Sequence, residues 1–251
     1  MEKGIVLITG ATAGIGEATA ELLAENRFRL ILTGRRNERL VEIKTRLGKL
    51  TSVHTLCFDI RNKVEVDNAI DSLPEEWKNI DVLLNNAGLA AGMDHFNEGY
   101  VGDWEQMIDT NLKGLLYISR KVTPGMIERG AGHIVNVGSI AGREMYERGN
   151  VYSATKHAVE VLSRGMRIDM FRHGIKVSTV SPGLVETEFS LVRFKGDSER
   201  AKQPYKGMKP LAGRDVADAI LFMITRPPHV SIHDLLIMPA AQAGALIVQR
   251  D

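Results

Sequence analysis

Apolar residues in this chain come in short unbroken runs separated by stretches of helical period. Ile5-Val6-Leu7-Ile8 is such a run, the pattern of a strand buried on both faces of a parallel sheet rather than of a half-exposed strand, which would alternate. Glycines follow at once, and Ala18, Leu22 and Leu23 then recur at helical spacing up to Asn26. The unit repeats along the chain. Residues 28–33, 51–58, 80–84, 133–137 and 175–180 predict further strands, with a last short one at 235–238. Helical patterns fall at 37–47, 62–72, 104–117 (Trp104, Met107, Ile108, Leu112 and Leu115 on one face), from 150 towards 173, and at 213–225. Strands alternating with helices predict an α/β fold: one Rossmann-type, doubly wound parallel sheet of about seven strands with helices on both faces, a single domain over residues 1–251. Residues 188–210 are polar and interrupted by Gly196, Pro204, Gly207 and Pro210, which predicts a mobile insert covering the strand ends.

Composition changes this picture little. The 251 residues are 44% hydrophobic and 25% charged, enough apolar material for one sizeable core. With 32 basic against 31 acidic residues there is no global field, and no basic stripe with interleaved aromatics, so no nucleic-acid partner is expected. Cys57 is the single cysteine, which fits a reducing compartment. The first apolar run is too short for a signal peptide or a membrane span, so a cytoplasmic protein without a membrane partner is the expectation. His54 and Cys57, three apart on a predicted strand, point to opposite faces. His95, His133, His157, His173, His229 and His233 show no ligand spacing either, so no metal site is expected.

The candidate chemistry begins at the first turn. Gly10, Gly14 and Gly16, with Thr12 and Ile15 between them, join a predicted strand to a predicted helix. Such glycines let the backbone approach a pyrophosphate, and the helix N-terminus offers free N–H groups. The second strand ends in Gly34-Arg35-Arg36, where a dinucleotide fold reads the adenosine ribose. A carboxylate there would hold a 2′-hydroxyl, whereas arginines bind a 2′-phosphate, so NADP is favoured over NAD. The alternative is that one or both arginines simply begin a solvated helix. Asp59, at the end of the third strand, is placed to bond an adenine amine. Asn85-Asn86-Ala87-Gly88 suits a turn passing close to a ligand. Asn111 is a poor helix-interior residue that needs partners or a task. Ser139 stands just past the fifth strand. Tyr152 and Lys156 share a helix face, and an ammonium beside a phenol lowers its pKa from about 10 towards neutrality, which suits proton transfer.

Thr9-Gly10 with Gly14 and Gly16, Asn85 to Gly88, Asn111, Ser139, Tyr152 with Lys156, and Pro182-Gly183 with Thr187 together resemble the short-chain dehydrogenase/reductase family, in its order and over nearly the whole chain. The resemblance implies an oxidoreductase with Tyr152 as acid/base, Lys156 on the nicotinamide ribose and depressing the phenol pKa, Ser139 on the reacting oxygen, and Asn111 binding a relay water. It implies an NADP(H) site from Gly10, Thr12, Gly14, Ile15, Gly16, Arg35, Arg36, Asp59, Asn86, Ala87, Gly88, Tyr152, Lys156, Pro182, Gly183, Val185 and Thr187.

Residues 85–93, 104–111, 149–152 and 188–197 are similar to the NADP-dependent serine, L-allo-threonine and 3-hydroxy acid dehydrogenases, which implies a small hydroxy acid, or another secondary alcohol, as substrate. A substrate carboxylate calls for a fixed cation: Arg193 is the candidate and Arg143, Arg148 and Lys195 are its rivals. Met145 joins Ser139, Tyr152 and Arg193 on the expected substrate side. The stretch Arg143-Glu144-Met145-Tyr146-Glu147-Arg148 departs from the small, less charged pocket wall that the resemblance leads one to expect. Glu144 or Glu147 would meet a substrate ammonium or pair with the arginines. The alternatives are a carbonyl, sugar or 3-oxoacyl thioester reductase of the same family, and a non-catalytic NADP-binding redox sensor. The apolar tail, 239–248, predicts burial against a neighbouring subunit, with a homotetramer implied by the resemblance, or against its own.

Overall fold

The computed structural model describes residues 3–251. In chain order the elements are β1 (Lys3–Ile8), α1 (Gly14–Glu25), β2 (Phe28–Gly34), α2 (Asn37–Leu47), β3 (Val53–Cys57), α3 (Lys63–Asp71), β4 (Ile80–Asn85), α4 (Val101–Ile108), α5 (Leu115–Arg129), β5 (Gly132–Val137), α6 (Asn150–Met170), β6 (Ile175–Pro182), β7 (Val185–Glu186), α7 (Glu188–Arg193), α8 (Ser198–Lys202), β8 (Leu211–Ala212), α9 (Gly213–Ile224) and β9 (Asp234–Ile237). Seven strands form one sheet in the order β3-β2-β1-β4-β5-β6-β9, parallel at every pairing.

The unbroken apolar runs are explained by burial on both faces. Val6, Ile8, Leu30, Leu32, Leu84 and Val135 point to one side, under α1, α2 and α9, where Leu23, Leu40, Ile43, Val216 and Ile220 meet them. Ile5, Leu7, Ile31, Leu83, Ile134 and Val177 point to the other, under α3 and α5, with Val66, Ile118, Val122 and Met126. The chain leaves β1 towards β2 on one side and returns to β4 on the other. That switch opens a crevice beyond the carboxyl ends of the strands.

Two elements differ from the sequence reading, and the tail takes one of the two places expected for it. The helix expected at 104–117 is part of a longer rod, α4 and α5 joined by a π-wound segment at Asp109–Gly114. Residues 188–210 are not a shapeless insert. Thr187 Oγ1 accepts from Phe189 N (3.2 Å) and starts α7, Asp197 caps α8, and Tyr205 Oη donates to Val185 O at 2.9 Å. Their polarity reflects two short capped helices lying outside the core. The tail folds back on its own subunit: Gln242 Oε1 accepts from Leu184 N at 2.8 Å, and Ala243 N and Gln249 N close a small antiparallel loop. Leu246 and Ile247 at its tip are nevertheless 68% exposed each. Among the described residues no helix is long and apolar enough to cross a membrane, and none of their His, Cys, Asp and Glu side chains form a group of three or more able to hold a metal ion.

Candidate active site

The crevice is lined by Gly10, Thr12, Gly14, Ile15, Arg35, Arg36, Asp59, Asn86, Ala87, Gly88, Ser139, Tyr152, Lys156, Pro182, Gly183, Val185 and Thr187. Of the residues singled out for a dinucleotide, only Gly16 lies behind this wall, in the first turn of α1, where it serves by being small. A Cβ there would fall 2.4 Å from Gly10 O. Gly10 itself has φ +65°, and a Cβ on it would sit 2.9 Å from Ala87 Cα, so the β1 and β4 turns touch backbone to backbone. Hydrogen bonds stitch the two turns together: Thr9 Oγ1 accepts from Asn86 N and Ala87 N at 3.0 Å each, and Asn86 Nδ2 donates to Thr9 O (2.9 Å) and Gly10 O (3.0 Å). Ala13, at the N-cap of α1, offers no side-chain acceptor, which leaves the first N–H groups of the helix to an anion in the crevice. This cradle fits a pyrophosphate.

At the adenosine end Arg36 stands at the N-cap position of α2. Its guanidinium donates to Thr12 Oγ1 (3.2 Å) and Thr12 O (3.0 Å) and pairs with Glu188 at 2.9 Å. Arg35 is half-exposed, 3.8 Å from Asp59. Asp59 lines the crevice, but its carboxylate is gripped by Arg61, whose Nε donates at 3.0 Å to both oxygens. That bond holds the Asp59 pKa below its ordinary value. An adenine amine would have to share this acceptor with Arg61, a partner that no local pattern marks.

Ser139 heads a tight turn, its Oγ accepting from Ala141 N at 3.1 Å. Tyr152 and Lys156 are both buried on α6. Lys156 Nζ donates to Val137 O at 2.8 Å, and burial lowers its pKa to about 8 against the opposing pull of Glu160. Burial drives the Tyr152 phenol well above its ordinary range. The Ser139 hydrogen bond and the Arg193 charge act the other way. The expected depression by Lys156 is therefore corrected for this state: the ammonium is turned to the Val137 carbonyl, and the cation acting on the phenol is Arg193.

Asn111 is buried in the π-wound segment. Its Oδ1 accepts from Leu89 N (2.9 Å), and its Nδ2 donates to Leu89 O (2.9 Å) and Thr155 Oγ1 (3.0 Å), which is how a poor helix former is held there. A Cβ on Gly88 would lie 3.3 Å from Asn111 Oδ1 and 3.6 Å from Lys156 Nζ, so the absence of a side chain leaves a small polar space between the two.

Beyond Tyr152 the wall comes from α7 and the 143–148 stretch. Arg193 Nη2 donates to Tyr146 Oη at 2.7 Å and Nε to Gly92 O at 3.3 Å. Its guanidinium lies 5.4 Å from the Tyr146 ring and 5.5 Å from the Tyr152 ring, and Phe189 packs edge-on against Tyr152 at 5.6 Å. Arg193 and its rival Arg148 line a small side pocket against Tyr152 rather than the main crevice, and the rivals are paired: Arg143 with Asp234 (2.9 Å), Arg148 with His95 (3.2 Å), Lys195 with Asp103 (2.9 Å). Glu144 accepts from Ala245 N in the tail at 2.7 Å, and Glu147 is exposed, 3.9 Å from His95. Met145 is corrected: it is 58% exposed and does not line the crevice. Its neighbour Tyr146 turns inward instead, because Gly149 has no side chain and a Cβ there would lie 2.5 Å from the Tyr146 ring. Phe189 in the crevice wall, and Tyr146 and Arg61 behind it holding Arg193 and Asp59, are what sequence reading missed. An aromatic beside a glycine just ahead of α6 was the signal for Tyr146.

A family model described as short chain dehydrogenase matches residues 4–196. The NADP-dependent 3-hydroxy acid dehydrogenase YdfG of Salmonella typhi is 48% identical over 242 residues, 96% of this chain and 97% of that protein. Sulfoacetaldehyde reductase 2 of Chromohalobacter salexigens is 44% identical over 249 residues, 98% of this chain and 99% of that one. Among solved structures, the closed form of serine dehydrogenase complexed with NADP+ superposes with a TM-score of 0.92 at 47% identity, over 98% of this chain and 100% of that one.

Proposed function

The chain belongs to the short chain dehydrogenase family, and from that premise we propose that it is an NADP-dependent oxidoreductase acting reversibly on a small hydroxy acid of the serine, L-allo-threonine or 3-hydroxy acid type. The observation that carries the substrate class is the Arg193 guanidinium 5.5 Å from the Tyr152 ring: a cation fixed beside the acid/base suits a carboxylate close to the reacting carbinol. The names of the similar proteins support the same class.

NADP, when bound, supplies the hydride acceptor in one direction and the donor in the other. Gly10, Thr12, Gly14, Ile15 and the α1 N-terminus would hold its pyrophosphate, and Arg35 and Arg36 its 2′-phosphate. Asp59 would take the adenine side, and Asn86, Ala87, Gly88, Pro182, Gly183, Val185 and Thr187 the nicotinamide half. Ser139 donates to the substrate oxygen. Tyr152 removes the hydroxyl proton as the carbinol is oxidised and returns it on reduction. Lys156 would hold the nicotinamide ribose, and its charge there would favour the phenolate. The space between Asn111 Oδ1 and Lys156 Nζ suits a water that carries the proton onward. Residues 188–210 close over the substrate with Arg193.

A turnover screen with NADP+ tests this: L-serine, L-allo-threonine and 3-hydroxybutyrate-type acids are oxidised, with neutral alcohols far behind. Failure on every carboxylate refutes the substrate class. A sulfonate arm belongs in the screen, because a guanidinium reads either anion and one similar protein is a sulfoacetaldehyde reductase.

We further place the protein in the cytoplasm, as a homotetramer without nucleic-acid or membrane partners. Supporting assembly are exposed apolar side chains on α5 (Leu116, Ile127), on α6 (Val161, Ile168) and at the tail tip, which favour association of like copies. Light scattering decides: a particle of four 27.7 kDa chains is expected, and a monomer refutes it.

A further inference from the structure

Glu160 is a buried carboxylate near the reaction centre to which the proposed chemistry gives no task. It lies on α6 one helical turn beyond Lys156, 3% exposed. Ser181 Oγ, at the end of β6, donates to its Oε1 at 2.6 Å, and Arg143 Nε stands 3.8 Å from the same oxygen. Arg143 is in turn held by Asp234 of β9, Nη2 to Oδ1 at 2.9 Å. Room for the carboxylate is made by two glycines flanking the Ser139 turn. A Cβ on Gly138 would fall 2.9 Å from Glu160 Oε1, and one on Gly142 would fall 3.2 Å from Glu160 Cγ.

From this geometry we propose that Glu160 is a positioning residue for Lys156: its buried negative charge, balanced by Arg143, keeps the lysine an ammonium at the working pH. The proposal deepens the oxidoreductase reading and rests on the task given there to Lys156. It also explains part of the charged 143–148 stretch. Arg143 is present not for the substrate but as the counter-ion that makes a buried carboxylate tolerable.

The groups facing Glu160 are Lys156 and Arg167 on its own helix, Arg143 from the turn after β5, Ser181 on β6 and, behind Arg143, Asp234 on β9. Lys156 in turn donates to the Val137 carbonyl, shares a helix face with Tyr152, and has Asn111 Oδ1 across the space beside Gly88. Glu160, buried one helical turn from Lys156, is the acid in this set placed to favour the ammonium against burial.

Two substitutions shift Lys156 in opposite directions. Glu160→Gln keeps the shape and the acceptor for Ser181 but removes the charge, so the Lys156 titration midpoint falls. Arg143→Met, at a side chain one-third exposed, leaves the carboxylate uncompensated, so the midpoint rises. Each shift is about half a pH unit or more, the size expected of one partly screened charge a helical turn away. The midpoint is read by NMR on protein carrying 13C at the lysine Cε, with Lys156→Met identifying the resonance. The high-pH limb of kcat/KM is expected to move in parallel, and Glu160→Asp to restore it in part. Equal Lys156 midpoints in wild type, Glu160→Gln and Arg143→Met overturn the proposal, as does a high-pH limb that moves while the midpoint stays. The NMR titration needs no substrate, so a failed hydroxy acid screen would leave it intact, and an unmoved midpoint would leave the hydroxy acid reading intact.

Discussion

The division of labour among single side chains is sharpest at Tyr152, where burial raises the phenol pKa and only Ser139 and Arg193 pull it back. Tyr152→Phe removes the proposed proton carrier and leaves the ring packed, so kcat is expected to fall about 10²–10⁴-fold, while NADPH affinity, followed by fluorescence, changes little. Arg193→Met tests the substrate side. Losing a charge-assisted bond of about 1.5–3 kcal/mol raises the KM for carboxylate substrates roughly tenfold or more, whereas a neutral alcohol is barely affected. Equal losses on both would assign Arg193 to the Tyr146 wall alone. Replacing Arg35 and Arg36 together by alanine should raise the KM for NADP at least tenfold by the same arithmetic. At this scale residue type was legible in the sequence and direction was not. Ser139, Tyr152 and Lys156 announce themselves by kind and spacing, but that Lys156 rests on Val137 O, that Arg61 holds Asp59, and that Tyr146 rather than Met145 turns inward are decided by contacts between distant segments.

Elements were read best where one period dominates. The strand runs were found because a strand buried on both faces is apolar at every position, as Val6 and Leu7 show by feeding opposite cores. The π-wound segment at Asp109–Gly114 escaped, since an inserted residue leaves no mark on a 3.6-residue pattern except a misplaced Asn111. Between β5 and β6 lies a second buried polar pair with a consequence for pH. Ser178 Oγ donates to Ile232 O at 2.5 Å, so it accepts from His133 Nε2, 2.7 Å away. Burial lowers the His133 pKa from 6.5 to about 4. The unfolded chain therefore binds a proton that the folded chain refuses between those two values. Above pH 6.5 the histidine adds no pH dependence; as pH falls from 6.5 towards 4, stability declines by up to about 3 kcal/mol and then levels. Urea unfolding across this window should show that slope in wild type. His133→Gln should be the flatter of the two, and an identical slope would remove His133 from the account.

Over the whole molecule, the segments that looked most anomalous in sequence are those joining separate layers at the mouth of the crevice. From 143–148, Arg143 reaches β9, Glu144 the tail and Tyr146 the α7 arginine. The chain end closes the ring from the other side: Arg250 donates to Pro204 O at 3.0 Å and Asp251 N to Gly207 O at 2.9 Å, so the last residues clasp the far end of 188–210. Neither link is readable from local pattern, because each pairs residues more than 40 positions apart. A chain ending at Ala245 keeps the buried Gln242 and the core but loses this clasp, and the segment it held then opens more often. Faster cleavage by a dilute protease within 188–210 is expected. The substrate KM should rise several-fold as closure becomes costlier, since the competent state is less populated. The dissociation constant for NADPH should change much less, because the clasp holds the 204–207 end of the segment while its first turn is tied separately, Glu188 to Arg36 at 2.9 Å. If truncation weakens NADPH binding as much as substrate binding, the tail supports the whole fold and not the cover over the substrate.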